Sequence, residues 1–306
     1  MQVIITGATG FIGRALCKHM VEHGYEVIAL TRSLSKAQAL LGKQVKSVKW
    51  DGQSAQGWAS LADGAGAIVN LAGGNIGSRR WTQARKRSIL QSRLNAGRAV
   101  VEAVELSTLK PKVVVQASGV GYYGSHGNEV LDELSPCEED FLSEVARQWE
   151  DSTKPVKAMG VRRVVIRTGG VLEKDGGMLP RLLLPFRFFV GGPLGSGRVW
   201  FSWIHRDDEV AAIRFLIEKE DAQGIFNLTA PEPLIMRDFY HLLGHTMRRP
   251  SWLPMPEFIL RLLLGEMAEA LLLSGQRVLP KRLQEAGFEF KYPTAGAALR
   301  AILVSH

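Results

Sequence analysis

Short β-branched runs alternate with longer amphipathic segments over the first two-thirds of the chain. The apolar runs predict strands near residues 2–5, 26–30, 45–49, 66–71, 112–117 and 162–167. The segments between them predict helices at 11–23, 34–41, 79–106 and 138–158. Alternation of this kind favours a parallel sheet that is covered by helices on both faces. The sequence therefore predicts an α/β fold, a Rossmann-like doubly wound parallel sheet.

The pattern changes after residue 170. Two Gly/Pro-rich stretches, GGVLEKDGGMLP and VGGPLGSGR, predict loops, and a strand is expected near 224–228. Further helices are predicted near 207–219, 235–247, 256–274 and 294–304. We therefore expect a Rossmann domain at 1–230 and a smaller, mostly helical substrate-side domain at 231–306. The apolar side chains of the second domain should pack against the first; they are Phe258, Leu262, Leu263, Leu271 and Leu272.

Composition describes an ordinary globular chain of 306 residues, with 46% hydrophobic and 22% charged side chains. Two cysteines form no disulfide framework, the start MQVIITGATG has no secretory pattern, and charges interrupt the apolar segment 258–273. We therefore expect a cytoplasmic protein without a membrane span. The net charge of +8 comes from scattered basic pairs, and 129–144 is acidic. This charge pattern argues against nucleic acid as a binding partner and favours small phosphorylated ligands.

A glycine-rich turn follows the first predicted strand. Gly7, Gly10 and Gly13 are spaced G-x-x-G-x-x-G between the strand QVIIT and the helix FIGRALCKHMVEHG. The first glycine permits a tight turn, the second admits a pyrophosphate, and the third lets the helix pack on the strand. Free N–H groups at the helix N-terminus then face the anion. Such glycines also simply end strands, but their place between the first strand and first helix favours a dinucleotide site.

The end of the second strand indicates which dinucleotide binds. NAD sites usually place Asp or Glu there to accept a hydrogen bond from the ribose hydroxyl. This chain reads VIALTRS, with Arg32 and Ser33 in that place. A guanidinium and a hydroxyl suit a 2′-phosphate, which a carboxylate would repel. The sequence therefore predicts NADP(H), the alternative being that Arg32 is a solvated loop charge.

Several motifs together resemble those of extended short-chain dehydrogenase/reductases, the group of nucleotide-sugar epimerases and dehydratases. They are GATGFIG, Asp51 after the third strand, NLAGG (70–74) and Ser118 after the fifth strand. Further segments are similar to an atypical "epimerase family" subgroup with a C-terminal domain of unknown function: NLAGGNIGSRRW, SRLNAGR, SGVGYYG, RTGGVL, WIHRDD and GQRVLPKRLQEAGFEF. The resemblance covers nearly the whole chain. It implies an NADP(H)-binding Rossmann domain and a nucleotide-sugar-like substrate.

The resemblance also assigns residues to the cofactor. The pyrophosphate would be lined by Thr6, Gly7, Gly10, Phe11, Ile12 and Gly13. Trp50 and Asp51 would pass the adenine, although Asp51 before Gly52 equally suits a turn. The ribose and nicotinamide would pass Leu71, Ala72 and Gly73, where a tight turn explains the small residues as well.

Active members of the group use a Ser or Thr after the fifth strand and a Tyr-x-x-x-Lys pair on the next helix. Ser118 fits the first role. The helix DFLSEVARQWE, however, offers Phe141 and Val145, and no Tyr-x-x-x-Lys occurs anywhere in the chain. Tyr122 and Tyr123 are substitute proton donors, unless their rings only pack over the cleft. Arg167, on the cofactor side, or Arg80 would lower the tyrosine pKa.

Substrate binding is expected on the loops after residue 180. Arginines suit a nucleotide diphosphate and tryptophans offer stacking faces. We assign Arg80, Arg187, Arg198, Trp203 and His205 to this side, with structural roles as the alternative. The histidines and cysteines show no metal-ligand spacing. Two hypotheses remain: an NADP(H)-dependent epimerase or reductase with a non-standard proton donor, and a non-catalytic NADP(H)-binding or redox-sensing protein. The state is expected to be a monomer or homodimer.

Overall fold

The computed structural model describes residues 1–304. Its strands are β1 (Gln2–Thr6), β2 (Glu26–Thr31), β3 (Lys46–Lys49), β4 (Ala67–Asn70), β5 (Val113–Gly119), β6 (Val130–Leu131), β7 (Arg162–Thr168), β8 (Gly170–Leu172), β9 (Trp200–Phe201), β10 (Trp203–His205), β11 (Gly224–Leu228), β12 (Leu234–Ile235) and β13 (Arg277–Val278). Its helices are α1 (Phe11–Glu22), α2 (Leu34–Leu41), α3 (Gln83–Leu106), α4 (Phe141–Asp151), α5 (Leu179–Arg187), α6 (Arg206–Glu218), α7 (Met236–Met247), α8 (Glu257–Leu264), α9 (Glu266–Ala268), α10 (Lys281–Glu285) and α11 (Ala295–Leu303).

A seven-stranded parallel sheet forms the centre of the molecule, in the order β11-β7-β5-β4-β1-β2-β3. The strand order reverses between β1 and β4, so the loops that follow these two strands diverge and leave a crevice at the carboxyl edge. This confirms the predicted doubly wound Rossmann-like sheet. Each sheet strand lies within one or two residues of its prediction, because continuous apolar runs are typical of strands buried on both faces.

Each face of the sheet carries its own apolar core. On one face, α1 and α6 pack together over inward side chains such as Val3, Val115 and Ile166. On the other face, α3 and the 3₁₀ turn at 59–62 cover Ile4, Ile68 and others. Alternate residues of one strand thus belong to different cores, as the two-residue repeat of a strand requires.

Two predicted helices are shorter than their sequence patterns. The helix predicted at 79–106 begins at Gln83, because the Thr82 side chain accepts a hydrogen bond from the Arg85 N–H and caps it. The helix predicted at 138–158 ends at Asp151, and a separate 3₁₀ turn follows at 154–157. It begins after Asp140, whose carboxylate caps the Ser143 N–H. Side-chain caps fix both starting points.

A third apolar core joins segments from both sides of residue 230. It contains Phe186 of α5, Trp203 of β10, Phe239 of α7 and Leu299 of α11. Of the two stretches predicted as loops, the first contains β8 and the start of α5, and most of α5 lies between the two, where no element was predicted. Strand β8 pairs with β10, and β9 pairs with β12. The division into 1–230 and 231–306 stays a prediction, and residues 305–306 lie outside the described range.

The helix predicted near 256–274 is broken at Gly265, whose φ is +62°. It divides into α8, α9 and a π-helical turn at 269–273. The prediction that its apolar residues pack inward is wrong for Phe258, Leu262 and Leu263, which are 69%, 72% and 62% exposed. The break turns α8 so that this face meets solvent. Within residues 1–304, no helix combines the length and apolar character that a membrane crossing requires.

Candidate cofactor and catalytic site

The glycine turn after β1 is packed too tightly for side chains. Gly7 has φ +68°, and a Cβ there would lie 2.8 Å from the carbonyl carbon and oxygen of Leu71. A Cβ on Gly13 would overlap the carbonyl oxygen of Gly7. Gly10 is the N-cap of α1, and no side chain caps its N–H groups or places an acid in the first turn. The uncapped N-terminus therefore suits a pyrophosphate.

A buried hydrogen-bond chain holds the turn against the next strand. The Thr6 hydroxyl donates to Asn70 Oδ1 at 2.7 Å and accepts from the Ala72 N–H at 3.1 Å. Asn70 Nδ2 donates in turn to Gln116 Oε1 at 2.9 Å. Thr6 is thus placed below the turn rather than open to the crevice, and it fixes the loop that begins at Leu71 and Ala72.

Phe11 and Ile12 stand at the first turn of α1 and pack against the apolar core beneath it. The Phe11 ring packs against Gly176 and Gly177, so closely that a Cβ added to Gly177 would lie 3.0 Å from the ring. On its other side, the Arg206 guanidinium carbon is 5.5 Å from the ring centroid. Arg206 itself is bound to Glu173 at 3.0 Å. The loop 173–178 therefore covers the side of the crevice next to the glycine turn.

The residues predicted to select NADP(H) lie together at the end of β2. Arg32 and Ser33 are both exposed, and the Ser33 hydroxyl caps α2 while lying 3.2 Å from the Ser35 hydroxyl. Arg32 extends across the turn after β3 toward Gly52. A guanidinium beside two hydroxyls and the start of α2 matches the chemistry of a 2′-phosphate.

Asp51, predicted as an adenine contact or a turn residue, shapes the turn after β3. Its Oδ1 accepts from the Gln53 and Ser54 N–H groups at 2.7 and 3.0 Å. These hydrogen bonds, Ser54 first, hold the pKa of Asp51 below its usual value. Trp50 is buried and its Nε1 donates to the Ser54 carbonyl at 2.7 Å. The arrangement accounts for both residues as turn structure, and an adenine contact stays a prediction.

Ser118 belongs to a buried ionic network below the crevice. Its hydroxyl donates to Glu150 Oε1 at 2.7 Å, and Arg167 binds both oxygens of Glu150 at 2.8 and 3.0 Å. Arg167 is 1% exposed and Glu150 7%. The Ser118 hydroxyl therefore donates its hydrogen bond to the Glu150 carboxylate, which also neutralises the Arg167 guanidinium. Sequence reasoning did not identify Glu150, although its place near the end of the helix DFLSEVARQWE gave a local signal.

The face of α4 toward the sheet and the turn after β5 carries no tyrosine or lysine; beside its apolar side chains stands Ser143, whose hydroxyl donates to the Gly121 carbonyl at 2.9 Å. Leu142 lies against Gly121 in the turn after β5. Ala146 and Glu150 follow at four-residue intervals, so Leu142, Ala146 and Glu150 share one helix face. The facing positions are therefore Leu142 and Ala146 rather than the predicted Phe141 and Val145. All four positions are apolar, so neither register supplies a tyrosine or a lysine.

Phe141 and Val145 belong to a fourth apolar cluster, against which Leu142 also packs. They pack with Trp81, Ile89 and Met267. The Phe141 and Trp81 rings meet edge to face with centroids 4.9 Å apart. This cluster joins α4 to the start of α3 and to the C-terminal region. Phe141 and Val145 thus stabilise the packing of these three segments.

The two candidate tyrosines follow β5 on a 3₁₀ turn at 120–123. Tyr123 is fully buried, its hydroxyl donates to Asn227 at 2.7 Å, and burial raises its pKa to about 12. Tyr122 is partly exposed, and the Arg167 guanidinium stacks 3.3 Å from its ring centroid. Burial raises the pKa of Tyr122 although Arg167 opposes the shift. Tyr122 is therefore the more accessible of the two, whereas the Tyr123 hydroxyl is used in a buried hydrogen bond to Asn227.

Two predicted substrate contacts have structural partners. His205 is buried, its Nδ1 accepts from the Asp207 N–H at 3.0 Å, and its ring packs 3.9 Å from that of Tyr292. Burial lowers the pKa of His205 to about 4. Trp203 is fully buried and donates to the Glu232 carbonyl at 3.0 Å. His205 therefore caps α6, and Trp203 packs in the third core.

The predicted substrate arginines do not converge on one point. Arg198 lines an open groove of about 540 Å³ with Trp200 and Arg237. Arg187 is exposed at the end of α5. Arg80 is exposed and lies near Gly265. Because these three arginines lie apart, their contact with one substrate stays a prediction. Over residues 1–304, no cluster of three metal-ligating side chains occurs.

The crevice at a switch point, the glycine turn and the uncapped α1 together define a Rossmann-type dinucleotide-binding protein. Residues 3–144 match the NAD dependent epimerase/dehydratase family, and residues 255–302 match a domain of unknown function. The chain is 44% identical over 306 residues to a chloroplastic epimerase family protein SDR39U1 homolog of Arabidopsis thaliana, covering 99% of this chain and 87% of that protein. The chain therefore belongs to the epimerase family proteins that carry this C-terminal domain.

Solved structures agree with this assignment. The human epimerase family protein SDR39U1 (isoform 2), solved with NADPH, is 32% identical, with a TM-score of 0.90 and full coverage of both chains. A nucleoside-diphosphate sugar epimerase from Corynebacterium glutamicum is 34% identical with a TM-score of 0.79, over 99% of this chain and 58% of that one. The NADPH in the human protein agrees with the cofactor predicted from Arg32 and Ser33.

Proposed function

We propose that this protein binds NADP(H) in the carboxyl-edge crevice and does not run the proton transfer of its catalytic relatives. The observation that carries the proposal is the inner face of α4, where Leu142 and Ala146 stand in place of an acid/base pair. Neither side chain exchanges a proton. The hydroxyl of Ser118 is bound to Glu150, so it does not replace them. The cofactor then acts as a bound structural or redox-reporting group that signals to a partner.

Hydride transfer itself gives the sharpest test. The protein would be loaded with NADPH deuterated at both C4 positions, so that transfer from either face moves deuterium, and incubated with a panel of nucleotide-sugars and simple carbonyl compounds. We expect the deuterium to stay on the cofactor and the sugars to keep their configuration. Loss of the label, or a changed sugar, would overturn the non-catalytic proposal.

A second candidate is an NADPH-dependent reductase or epimerase that acts on a nucleotide-sugar-like substrate through Tyr122. The observation in its favour is the partly exposed Tyr122 ring, stacked on Arg167 beside the end of β5. Under this candidate, turnover in the deuterium assay should fall by about 10²-fold in Tyr122→Phe. Tyr123→Phe, the buried neighbour, is the matched control. Equal turnover in wild type and Tyr122→Phe would eliminate Tyr122 as donor.

We further propose that the protein works in a reducing compartment, as the cytoplasmic expectation implies. Its two cysteines, Cys17 and Cys137, are free, and burial raises the pKa of the Cys17 thiol to about 12. A buried neutral thiol is inert and contributes only to packing. A small anionic molecule is the partner that the basic surface favours.

A further inference from the structure

Arg93 is a buried cation without a carboxylate partner. It stands on α3, is 8% exposed, and makes no ion pair within the described residues. Two other arginines of this region are buried: Arg167 is neutralised by Glu150 at 2.8 Å, and Arg163 donates to the Thr153 hydroxyl and the Glu150 carbonyl. A buried guanidinium normally requires an anion or several hydrogen-bond acceptors. Two carbonyls and the Trp149 ring contact the Arg93 guanidinium, but no carboxylate within residues 1–304 balances its charge.

The side chain of Arg93 is held in a fixed position beside the crevice. Its Nη1 donates to the carbonyls of Gly74 and Ile89 at 3.1 and 2.9 Å. Its guanidinium stacks on the ring of Trp149, 4.7 Å from the centroid. The guanidinium carbon also lies against Gly73, where a Cβ would approach it to 3.1 Å. Gly73 is exposed and lies in the loop that follows β4, so Arg93 stands at the crevice wall.

The remaining nitrogens of Arg93 are free to donate. Its described hydrogen bonds use Nη1 alone, so Nε and Nη2 have no partner within residues 1–304. Burial, with a smaller contribution from the charge of Arg85, lowers the pKa of Arg93 to about 10. Arg93 therefore stays protonated at neutral pH and offers two donors of a fixed planar fork.

The inner face of α4 lacks the cation that Arg93 would supply. In catalytic relatives, a lysine on the helix after β5 holds the nicotinamide ribose, but here that face carries Leu142 and Ala146. Trp149, on which Arg93 stacks, is one helical turn beyond Ala146. A cation is thus supplied from α3, across the α3–α4 packing, at the crevice wall where α4 provides none.

We propose that Arg93 is a cofactor-binding residue for the nicotinamide mononucleotide half of NADP(H), donating to its ribose hydroxyls and phosphate in place of the absent lysine. The proposal rests on the NADP(H) binding proposed above. It separates two ends of the site: Arg32 binds the adenosine end, and Arg93 binds the nicotinamide end.

Calorimetric titration with two ligands tests this division. NADPH and its adenosine fragment 2′,5′-ADP would be titrated into wild type, Arg93→Met, Arg93→Lys and Arg98→Met. Arg98 is the matched control, since it lies on α3, is exposed and binds Asn95. Losing charge-assisted hydrogen bonds should weaken NADPH by about tenfold to a hundredfold in Arg93→Met. The affinity for 2′,5′-ADP should stay within about twofold.

Each outcome decides the matter. Unchanged NADPH affinity in Arg93→Met, or an equal loss for both ligands, would overturn the role of Arg93. If Arg93→Met does not fold, Arg93→Lys decides: it keeps the charge with fewer donors, and we expect a selective loss for NADPH of about threefold or more. A wild-type protein that binds neither ligand would overturn the proposed cofactor itself, whereas wild-type binding with an unselective Arg93 variant overturns only this inference.

Discussion

Replacing Glu150 with Gln should destabilise the protein strongly, because Glu150 is the counter-ion of a buried cation. Its carboxylate binds Arg167 through both oxygens and accepts a hydrogen bond from the Ser118 hydroxyl. The Arg167 side chain is 1% exposed, so water cannot replace the lost charge. Removing one partner of a buried pair typically costs about 3–5 kcal/mol. Since Gln keeps one acceptor oxygen, we expect a loss near the lower value, about 3 kcal/mol.

Urea unfolding followed by tryptophan fluorescence measures this loss. Glu144→Gln is the matched control on the same helix, since its ion pair with Arg147 is solvent-exposed and should contribute little. The reverse variant, Arg167→Met, leaves the buried Glu150 carboxylate without its cation and should also destabilise the protein. A Glu150→Gln variant as stable as wild type would refute the role given to this network.

Three further predictions concern the cofactor and pH. Arg32→Asp should weaken NADPH much more than NADH in calorimetric titration, and equal wild-type affinities for the two would contradict the assignment. Burial raises the pKa of Glu209 from 4.5 to about 8. Folding therefore retains a proton that the unfolded chain releases, and stability should fall between about pH 4.5 and pH 8, by at most about 1.4 kcal/mol per pH unit. Glu209→Gln should flatten this slope in urea unfolding. Burial lowers the pKa of His205 from 6.5 to about 4, so stability should also be lost as pH falls through that range. His205→Asn, which keeps a capping acceptor, should remove this loss and remain more stable than His205→Ala in thermal unfolding.

The sequence by itself determined the order of the sheet strands along the chain, the glycine turn and the position of Arg32. These features are local. A buried strand is encoded by a short apolar run, and the turn at position 7, with φ +68°, requires a glycine. Arg32 directly follows β2, so its position depends only on where that strand ends. The same locality explains why the absence of a Tyr-x-x-x-Lys pair is certain from the sequence alone, since the pair is defined by spacing along one helix.

Only the tertiary structure decided which faces of the helices and strands contact each other. The helical pattern of α4 permits either Phe141 or Leu142 to face the turn after β5. Only the packing of α4 against that turn placed Leu142 there. The Ser118–Glu150–Arg167 network likewise joins β5, α4 and β7, which are distant in sequence. Arg93 became a candidate cofactor contact for the same reason. Its burial, its stacking on Trp149 and its missing counter-ion are properties of assembled helices, and no single segment of the chain contains them.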